Sequence, residues 1–499
     1  MEAKYIIYIN TYSNMKRLFL FILIFAAVIL LYYPVIFTFF SQDDFFHFKV
    51  SLTNGSIQQF INLFGFYPFI ERGIAFYRPI FREVIFNLFY SFFGLNPYPF
   101  RILQISLLFL NSILVYLLIR KLTNVKYLPF FVAFFYAICS AQVASLYYLA
   151  GGIQVLGATT FLLFTLIFTQ NNLYLAFITF LLALGSHELA SVIPFLMTAL
   201  CFIVYPYKIA LKKIWQLIPF FLVLILYLYL EINIIGFSSS EVQYKMVFNI
   251  KTILNSYMWY TGWALGLPEM LVDFIFPGFK LNPDLMRYWG NYYIIIFTSF
   301  FSSLFLILLG LAVLFIKKRD FSINKVFLFF VFWFFISLLP IILLPLHKST
   351  QYLETGLPAF WSIIGYIVIT VYQKIKFKKA YLLILLISLL TLSSTSILLQ
   401  RTTYWAAQRG KFAKQLIENV TFTYPVLPKG SIIYFRNDPN HPYLTKEWGN
   451  SSKQASLILN GSDALQLLYK DPTLKVYYED LKSIEFAGKN IYPVVAKIY

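Results

Sequence analysis

The sequence predicts an all-α polytopic membrane protein of about 11 transmembrane helices, followed by a small C-terminal extracytoplasmic α/β module. Three observations carry this expectation. First, 60% of the 499 residues are hydrophobic and 12% are charged, about half the charge of a soluble domain. The apolar residues form long runs without period-two alternation, which excludes an outer-membrane barrel. Second, clusters of Lys and Arg fall on alternate loops, as expected of cytoplasmic connections. Third, from Arg401 onward the chain becomes mixed in polarity and rich in turn residues. The net charge of +19 follows from the inner loops and needs no nucleic acid partner. Cys139 and Cys201 both lie inside apolar runs, so neither a disulfide framework nor a thiolate metal site is expected. With 57 Phe and 38 Tyr, no single aromatic residue stands out by type.

Lys16-Arg17 precede the apolar run 18–40. No small-residue cleavage site follows it, so it reads as an uncleaved first helix with an inner N-terminus. Ser41-Gln42-Asp43-Asp44-Phe45-Phe46-His47-Phe48 then opens a long outer loop, 41–99. Within it, Phe81, Val84, Ile85, Leu88 and Phe92 recur near helical spacing. They predict an amphipathic helix over 79–93 lying along the outer surface and stopped by Gly94-Leu95-Asn96-Pro97.

Further spans are expected at about 100–119, 128–148, 152–169, 173–186, 189–206 and 214–230. Ala150-Gly151-Gly152 is read as a tight outer turn and Asn171-Asn172 as an inner one. A second outer segment, 231–289, carries Glu231, Glu241, Glu269, Asp273 and Asp284, with Trp259, Trp263 and Trp289 suited to the interface. Spans at about 291–316, 326–344, 356–372 and 380–399 follow, with Lys317-Lys318-Arg319 and Lys374 to Lys379 inside. Of the acidic residues in 1–399, only Glu2 and Asp320 fall on the inner side. The tail divides into a strand over 430–435, a helix over 454–470 with Ser452 near its cap, and a strand over 474–478.

The chemistry-bearing residues of the membrane part collect at outer helix ends. Asp43 and Asp44 are costly at the mouth of a membrane helix unless water, a metal, a cation or a substrate is near. Either is a candidate general base or, together, ligands for a divalent cation such as Mg or Mn. His187-Glu188 and His347-Lys348 end two further outer connections, and Glu354 follows shortly after. Lys348, His347 and the arginines Arg72, Arg78 and Arg82 can take phosphate charge. Each also has a plainer role: Arg78 and Arg82 pairing with nearby acids or lipid headgroups, Lys348 snorkelling to the interface, His187-Glu188 capping helices. Asp43, Asp44, His187, Glu188 and His347 are expected to converge on one outward cavity.

Asp43-Asp44-Phe45-Phe46-His47-Phe48 after a first helix resembles the acidic motif of the GT-C superfamily of membrane glycosyltransferases. Tyr77-Arg78-Pro79 with Phe93-Gly94-Leu95-Asn96-Pro97 is similar to the first outer loop of O-mannosyltransferase-like members. Ser186-His187-Glu188 is similar to their Ser-Lys-Glu stretch, with His187 in place of the lysine. Pro345-Leu346-His347 followed by Gln351-Tyr352-Leu353-Glu354 resembles their late His…Arg-Tyr-Leu-Tyr motif, with Gln351 in place of the arginine. The resemblance spans about 18–400 and does not reach residues 401–499.

The resemblance implies a GT-C-like membrane domain and an inverting glycosyltransferase. Its donor would be a polyprenyl-phosphate-linked sugar in the outer leaflet and its acceptor a protein, glycan or lipid. It makes Asp43 the general base, with Asp44 beside it, and Arg78, His187, Glu188, His347, Lys348 and Tyr352 the substrate-binding residues. A prokaryotic cytoplasmic membrane is the expected location, with the site and the C-terminal module outside. The alternative is a lipid-linked saccharide flippase or transporter. The scarcity of charge within the spans speaks against an ion-coupled carrier.

Overall fold

The computed structural model describes residues 18–236, 242–278, 280–316, 324–441, 443–445, 448–482 and 490–498. Lys16-Arg17, Glu2, Glu241, Lys317-Lys318-Arg319 and Asp320 of the sequence reading lie outside them. Among the described residues, seven helices are long and apolar enough to cross a membrane, the longest running Lys378–Thr423. Three shorter apolar helices, Leu128–Ile138, Leu173–Leu184 and Glu188–Val204, pack with them. The chain is an integral membrane protein of helical class with a small strand-containing C-terminal module.

Leu149–Phe168 is the buried centre of the bundle and packs against Pro97–Leu122 and Leu173–Leu184. Buried polar side chains fasten it: Thr160 Oγ1 donates to Asn111 Oδ1 at 2.7 Å, and Asn111 Nδ2 donates to the Leu156 carbonyl at 3.0 Å. Between helices in lipid, where apolar burial contributes little, such bonds fix the register.

The run expected at 128–148 is broken. Leu128–Ile138 stops at Cys139, which is extended, and Gln142–Tyr147 forms a separate short helix. The Cys139 carbonyl is taken by Tyr32 Oη at 2.7 Å, and Ser140 Oγ donates to the Gly266 carbonyl at 2.8 Å, so the break has its own partners. Ala150-Gly151-Gly152 is not a turn. It is the first turn of the helix Leu149–Phe168, and the chain reverses at Tyr148 instead. A Cβ on Gly152 would stand 2.0 Å from the Ser145 carbonyl oxygen. The glycine therefore serves close approach between two helices rather than turn geometry.

Arg101 ties this region together. It is fully buried in Pro97–Leu122. Nε donates to the Thr38 carbonyl at 3.0 Å and Nη2 to the Phe39 carbonyl at 3.2 Å. Nη1 reaches the Leu146 carbonyl at 3.0 Å, the Tyr147 carbonyl at 3.1 Å and Gln104 Oε1 at 3.0 Å. One guanidinium thus joins the chain just before Asp43 to the chain just before Tyr148.

The segment 41–99, expected as the first outer loop, is largely helical: Asp43–Ser51, Ile57–Asn62, Phe69–Arg72, and a π-helical Pro79–Val84 running into Ile85–Phe93. Gly94, at φ 56°, ends it. Its buried side is mixed in polarity. Phe81 and Phe86 are buried, but so are Arg82, Glu83 and Asn87, while Leu88 and Phe92 are exposed. The wide π turn brings the polar residues inward, where Arg82 pairs with Glu83 and Asn87 Nδ2 donates to the Ser51 carbonyl at 2.7 Å, and leaves apolar ones on the outside.

The second outer segment holds the helix Ile250–Leu265 and a two-stranded hairpin, Ile275–Phe276 with Lys280–Leu281. The following helix begins at Pro283, before the expected 291, with a kink at Trp289.

The final membrane helix, Lys378–Thr403, turns at Tyr404 and continues as Trp405–Thr423 into the module. There Ile432–Asn437 is the centre of a parallel sheet between Lys475–Tyr478 and Ile491–Ala496, with Ile432 opposite both Lys475 and Ile491. The single helix expected over 454–470 is two, Ser451–Ile458 and Asp463–Tyr469, with Asn450 rather than Ser452 at the first cap. They separate at Asn460-Gly461, both at positive φ, a conformation no helix continues through. The strand Ile491–Ala496 was not expected.

The module rests on the first outer loop. Lys49 Nζ meets Asp463 Oδ1 at 2.5 Å, and Tyr90 Oη donates to the Leu467 carbonyl at 3.0 Å. Module and loop therefore lie on one side of the membrane.

Replacing Arg101 by Ala leaves buried carbonyls without donors, a cost of at least ~3 kcal/mol. Arg101→Lys, with fewer donors and no planar fork, recovers only part. Thermal unfolding in detergent should rank wild type above Arg101→Lys above Arg101→Ala, and equal midpoints would remove Arg101 from this role.

Candidate functional site

Four connections meet at a cavity of about 360 Å³. Asp43 and His47 come from Asp43–Ser51, Arg78 and Arg82 from the π-helical segment, Tyr148 and Gly151 from the start of Leu149–Phe168, and His347 and Tyr352 from the connection before Leu357–Lys374. A larger cleft of about 570 Å³ lies between Lys49, Asn87 and Tyr90 of the loop and Gln466 and Lys470 of the module. It pairs no carboxylate with a guanidinium, so the chemistry points to the smaller cavity.

One wall is acidic. Asp43 is exposed, and its Oδ2 accepts from Tyr148 Oη at 2.5 Å, which orients the carboxylate while leaving Oδ1 open. The facing wall is basic. Arg78 grips Glu188 with two bonds, Nε to Oε2 at 2.8 Å and Nη2 to Oε1 at 2.5 Å, and Nη1 donates to Gln154 Oε1 at 2.9 Å. Burial opposes the Arg78 charge, but the Glu188 carboxylate more than offsets it and raises the pKa. Arg82 Nη2 and Arg72 Nη2 share Glu83, each at 3.0 Å. Arg82 is 5% exposed, and its Nε has no hydrogen-bond partner. Buried guanidinium N–H groups are rarely left so.

Two of the histidines, His47 and His187, are held neutral. Burial and the neighbouring Arg82 and Arg78 hold His47 well below its ordinary value. Burial and Arg78 push His187 down to about 3. His187 does not line the cavity: its Nδ1 accepts from the Leu189 N–H at 3.2 Å, capping the next helix, and its ring lies 6.2 Å from that of Tyr352. His347 Nε2 and Tyr352 Oη are 2.6 Å apart on the cavity wall. Glu188 stands behind Arg78 as its counter-charge. Lys348 turns away and donates to Asn255 Oδ1 at 3.1 Å, so it is not among the cavity residues.

Asp44 points the other way from Asp43. It is 2% exposed, its Oδ1 accepting from the Ala150 N–H at 2.7 Å and its Oδ2 from the Ser41 N–H at 3.0 Å. Burial raises its pKa to about 6, against Arg101 and those two bonds. Both Asp44 oxygens thus accept from backbone N–H groups. Among the described residues no group of three or more His, Cys, Asp or Glu is placed for a metal. Glu354, expected on the same face, is buried apart, accepting from Tyr136, from Gln142 Nε2 at 3.4 Å and from Ser145 Oγ at 3.3 Å.

Comparison of the chain with protein-family models, curated proteins and solved structures gives no match.

Tyr148, Gln154 and Arg101 were missed in the sequence reading. Gln154 and Arg101 are polar residues within otherwise apolar runs, a legible signal of a buried polar network. Tyr148 is one of 38 tyrosines and carried no such mark.

Burial pushes the Glu354 carboxyl up to about 7 from an ordinary 4.5. Below 4.5 both folded and unfolded chains are protonated there. As pH rises from 4.5 through 7 the unfolded chain has already lost its proton, so this group's contribution to stability is lost. Glu354→Gln, which mimics the protonated form, should flatten the fall in unfolding midpoint across that window. An unchanged slope would show that Glu354 ionises freely.

Proposed function

We propose that the chain is an inverting glycosyltransferase of GT-C type. It moves a sugar from a polyprenyl-phosphate-linked donor to an extracytoplasmic protein, glycan or lipid acceptor. The observation that supports this most is the facing of an open carboxylate, Asp43, and two guanidiniums, Arg78 and Arg82, across one polar cavity at the ends of apolar helices. A transfer from a lipid-phosphate sugar needs that pairing: a base for the acceptor and a cation for the phosphate.

In the proposed step the acceptor hydroxyl gives its proton to Asp43 Oδ1 as its oxygen bonds to the anomeric carbon. The bond from that carbon to the phosphate oxygen breaks, and its electrons leave with the polyprenyl phosphate. The displacement is direct, so the anomeric configuration inverts. The phosphate gains about one negative charge as it changes from diester to monoester. Arg72, Arg78 and Arg82 outnumber Glu83 and Glu188, so the basic wall carries surplus positive charge. The unpartnered Nε of Arg82 is the donor with most to gain from a phosphate oxygen. Tyr148 holds Asp43 in place, and Gly151 keeps the floor low.

The reading assigns no step to a divalent cation. It also takes all eleven apolar runs as crossings, with the N-terminus inside and the cavity and module outside.

Asp43→Asn keeps size and removes the base. Transfer of labelled sugar from a panel of polyprenyl-phosphate sugars should fall by roughly 10² or more, with chelator making no difference to wild type. Near-normal turnover would remove Asp43 from the chemistry, and movement of the lipid-linked sugar across the bilayer without transfer would favour a flippase. Arg82→Gln should raise the KM for donor by about tenfold or more. An unchanged KM would place the phosphate elsewhere. A reporter active only outside, fused after the C-terminal module, should be active; activity of a cytoplasm-only reporter there would reverse the orientation.

A further inference from the structure

The residue before Asp43 has an unusual backbone. Gln42 lies at φ 49°, ψ −118°. An L side chain rarely adopts this conformation and glycine enters it freely. Such a residue persists only where its surroundings over-determine it. The Gln42 carbonyl accepts from the Phe45 N–H at 2.9 Å within the helix that follows, and its amide and side chain are held from beyond residue 404. The Gln42 N–H donates to the Ile458 carbonyl at 2.8 Å. Its Oε1 accepts from Arg409 Nη1 at 2.5 Å. The Arg409 guanidinium in turn lies over two indoles, 4.9 Å from Trp405 and 5.1 Å from Trp448. Arg409 makes no salt bridge within 4.0 Å among the described residues, and the carboxylate whose charge reaches it is that of Asp43.

The helix that carries Arg409 is pressed onto the same stretch of chain. A Cβ on Gly410 would stand 2.6 Å from the Phe39 carbonyl oxygen. Trp405 also touches the other side of the site, its ring 5.0 Å from that of Tyr148, which holds Asp43. Relaxing Gln42 to an ordinary β or α conformation would rotate the start of Asp43–Ser51. Asp43 would leave Tyr148, and Asp44 would leave Ser41 and Ala150.

We propose that the C-terminal module aims Asp43: Arg409, clamped between Trp405 and Trp448, and the Ile458 carbonyl hold Gln42 in its glycine-like conformation. That conformation directs one carboxylate into the cavity and the next into the loop. Arg409 is thus a positioning residue, and the module is part of the site although it supplies none of the cavity lining. The consequence for transfer rests on the reading of Asp43 as the base; the consequence for the backbone does not.

The test uses full-length protein with Arg409→Ala, alone and combined with Gln42→Gly. Two quantities are read: hydrogen exchange of the peptide spanning 41–51, and transfer from a polyprenyl-phosphate sugar. Arg409→Ala should raise exchange in that peptide, with kcat falling by about tenfold to a hundredfold and donor KM unchanged, as expected of a displaced base. Adding Gln42→Gly, which occupies the conformation without the clamp, should restore protection and most of the lost turnover. Unchanged exchange in Arg409→Ala would overturn the proposal. So would a double variant that folds but stays as unprotected as the single one. If exchange behaves as stated but wild type transfers no sugar from any donor of the panel, the positioning stands and the glycosyltransferase reading falls.

Discussion

The site depends first on Arg101. A buried guanidinium in a membrane bundle must satisfy all its donors within the protein, because lipid offers none. Arg101 does so with backbone carbonyls from two otherwise unrelated stretches, Thr38-Phe39 and Leu146-Tyr147. Those carbonyls are the free ends of two helices, and their unpaired acceptors are what a cation best satisfies. One side chain therefore answers two helix C-termini at once. By doing so it sets Asp43 beside Tyr148 and the start of Leu149–Phe168. Asp44 completes the junction by taking the Ala150 N–H at that helix's opposite kind of end.

The cavity is then built from unequal electrostatics. Behind the basic groups stand carboxylates that do not themselves reach the cavity, Glu188 paired with Arg78 and Glu83 between Arg72 and Arg82. His47 and His187 stay neutral, because burial and those same guanidiniums penalise a further positive charge. Asp43 is thus set apart as an open acid facing a surplus of positive charge. Adjacent carboxylates meet opposite fates through backbone geometry alone: the helix starting at Asp43 sends one side chain outward and folds the next onto Ser41 and Ala150.

Much of this was legible in the sequence. The apolar runs, the absence of strand alternation and the change at Arg401 determine a helical membrane protein with a polar C-terminal module. Hydrophobic burial is a property of composition and period, which a sequence displays directly. The connections were less legible. Ala150-Gly151-Gly152 looks like a turn because glycines usually make turns, yet here they allow one helix to cross another at contact distance. The stripe over 79–93 was read from its apolar residues alone, whereas ion pairing also draws Arg82 and Glu83 into the buried side. Lys348, at the right place along the chain, points away from the cavity.

By itself the sequence determined the class of fold and a short set of polar residues at helix ends. Those follow from local chemistry, since a charge beside an apolar run is costly wherever the run goes. Only the tertiary structure decided which of those residues share a cavity and which carboxylate of a pair is free. It also decided that residues 405–458 restrain the backbone at Gln42. These depend on contacts between segments hundreds of positions apart, and on a backbone conformation that the residue type at position 42 would by itself argue against.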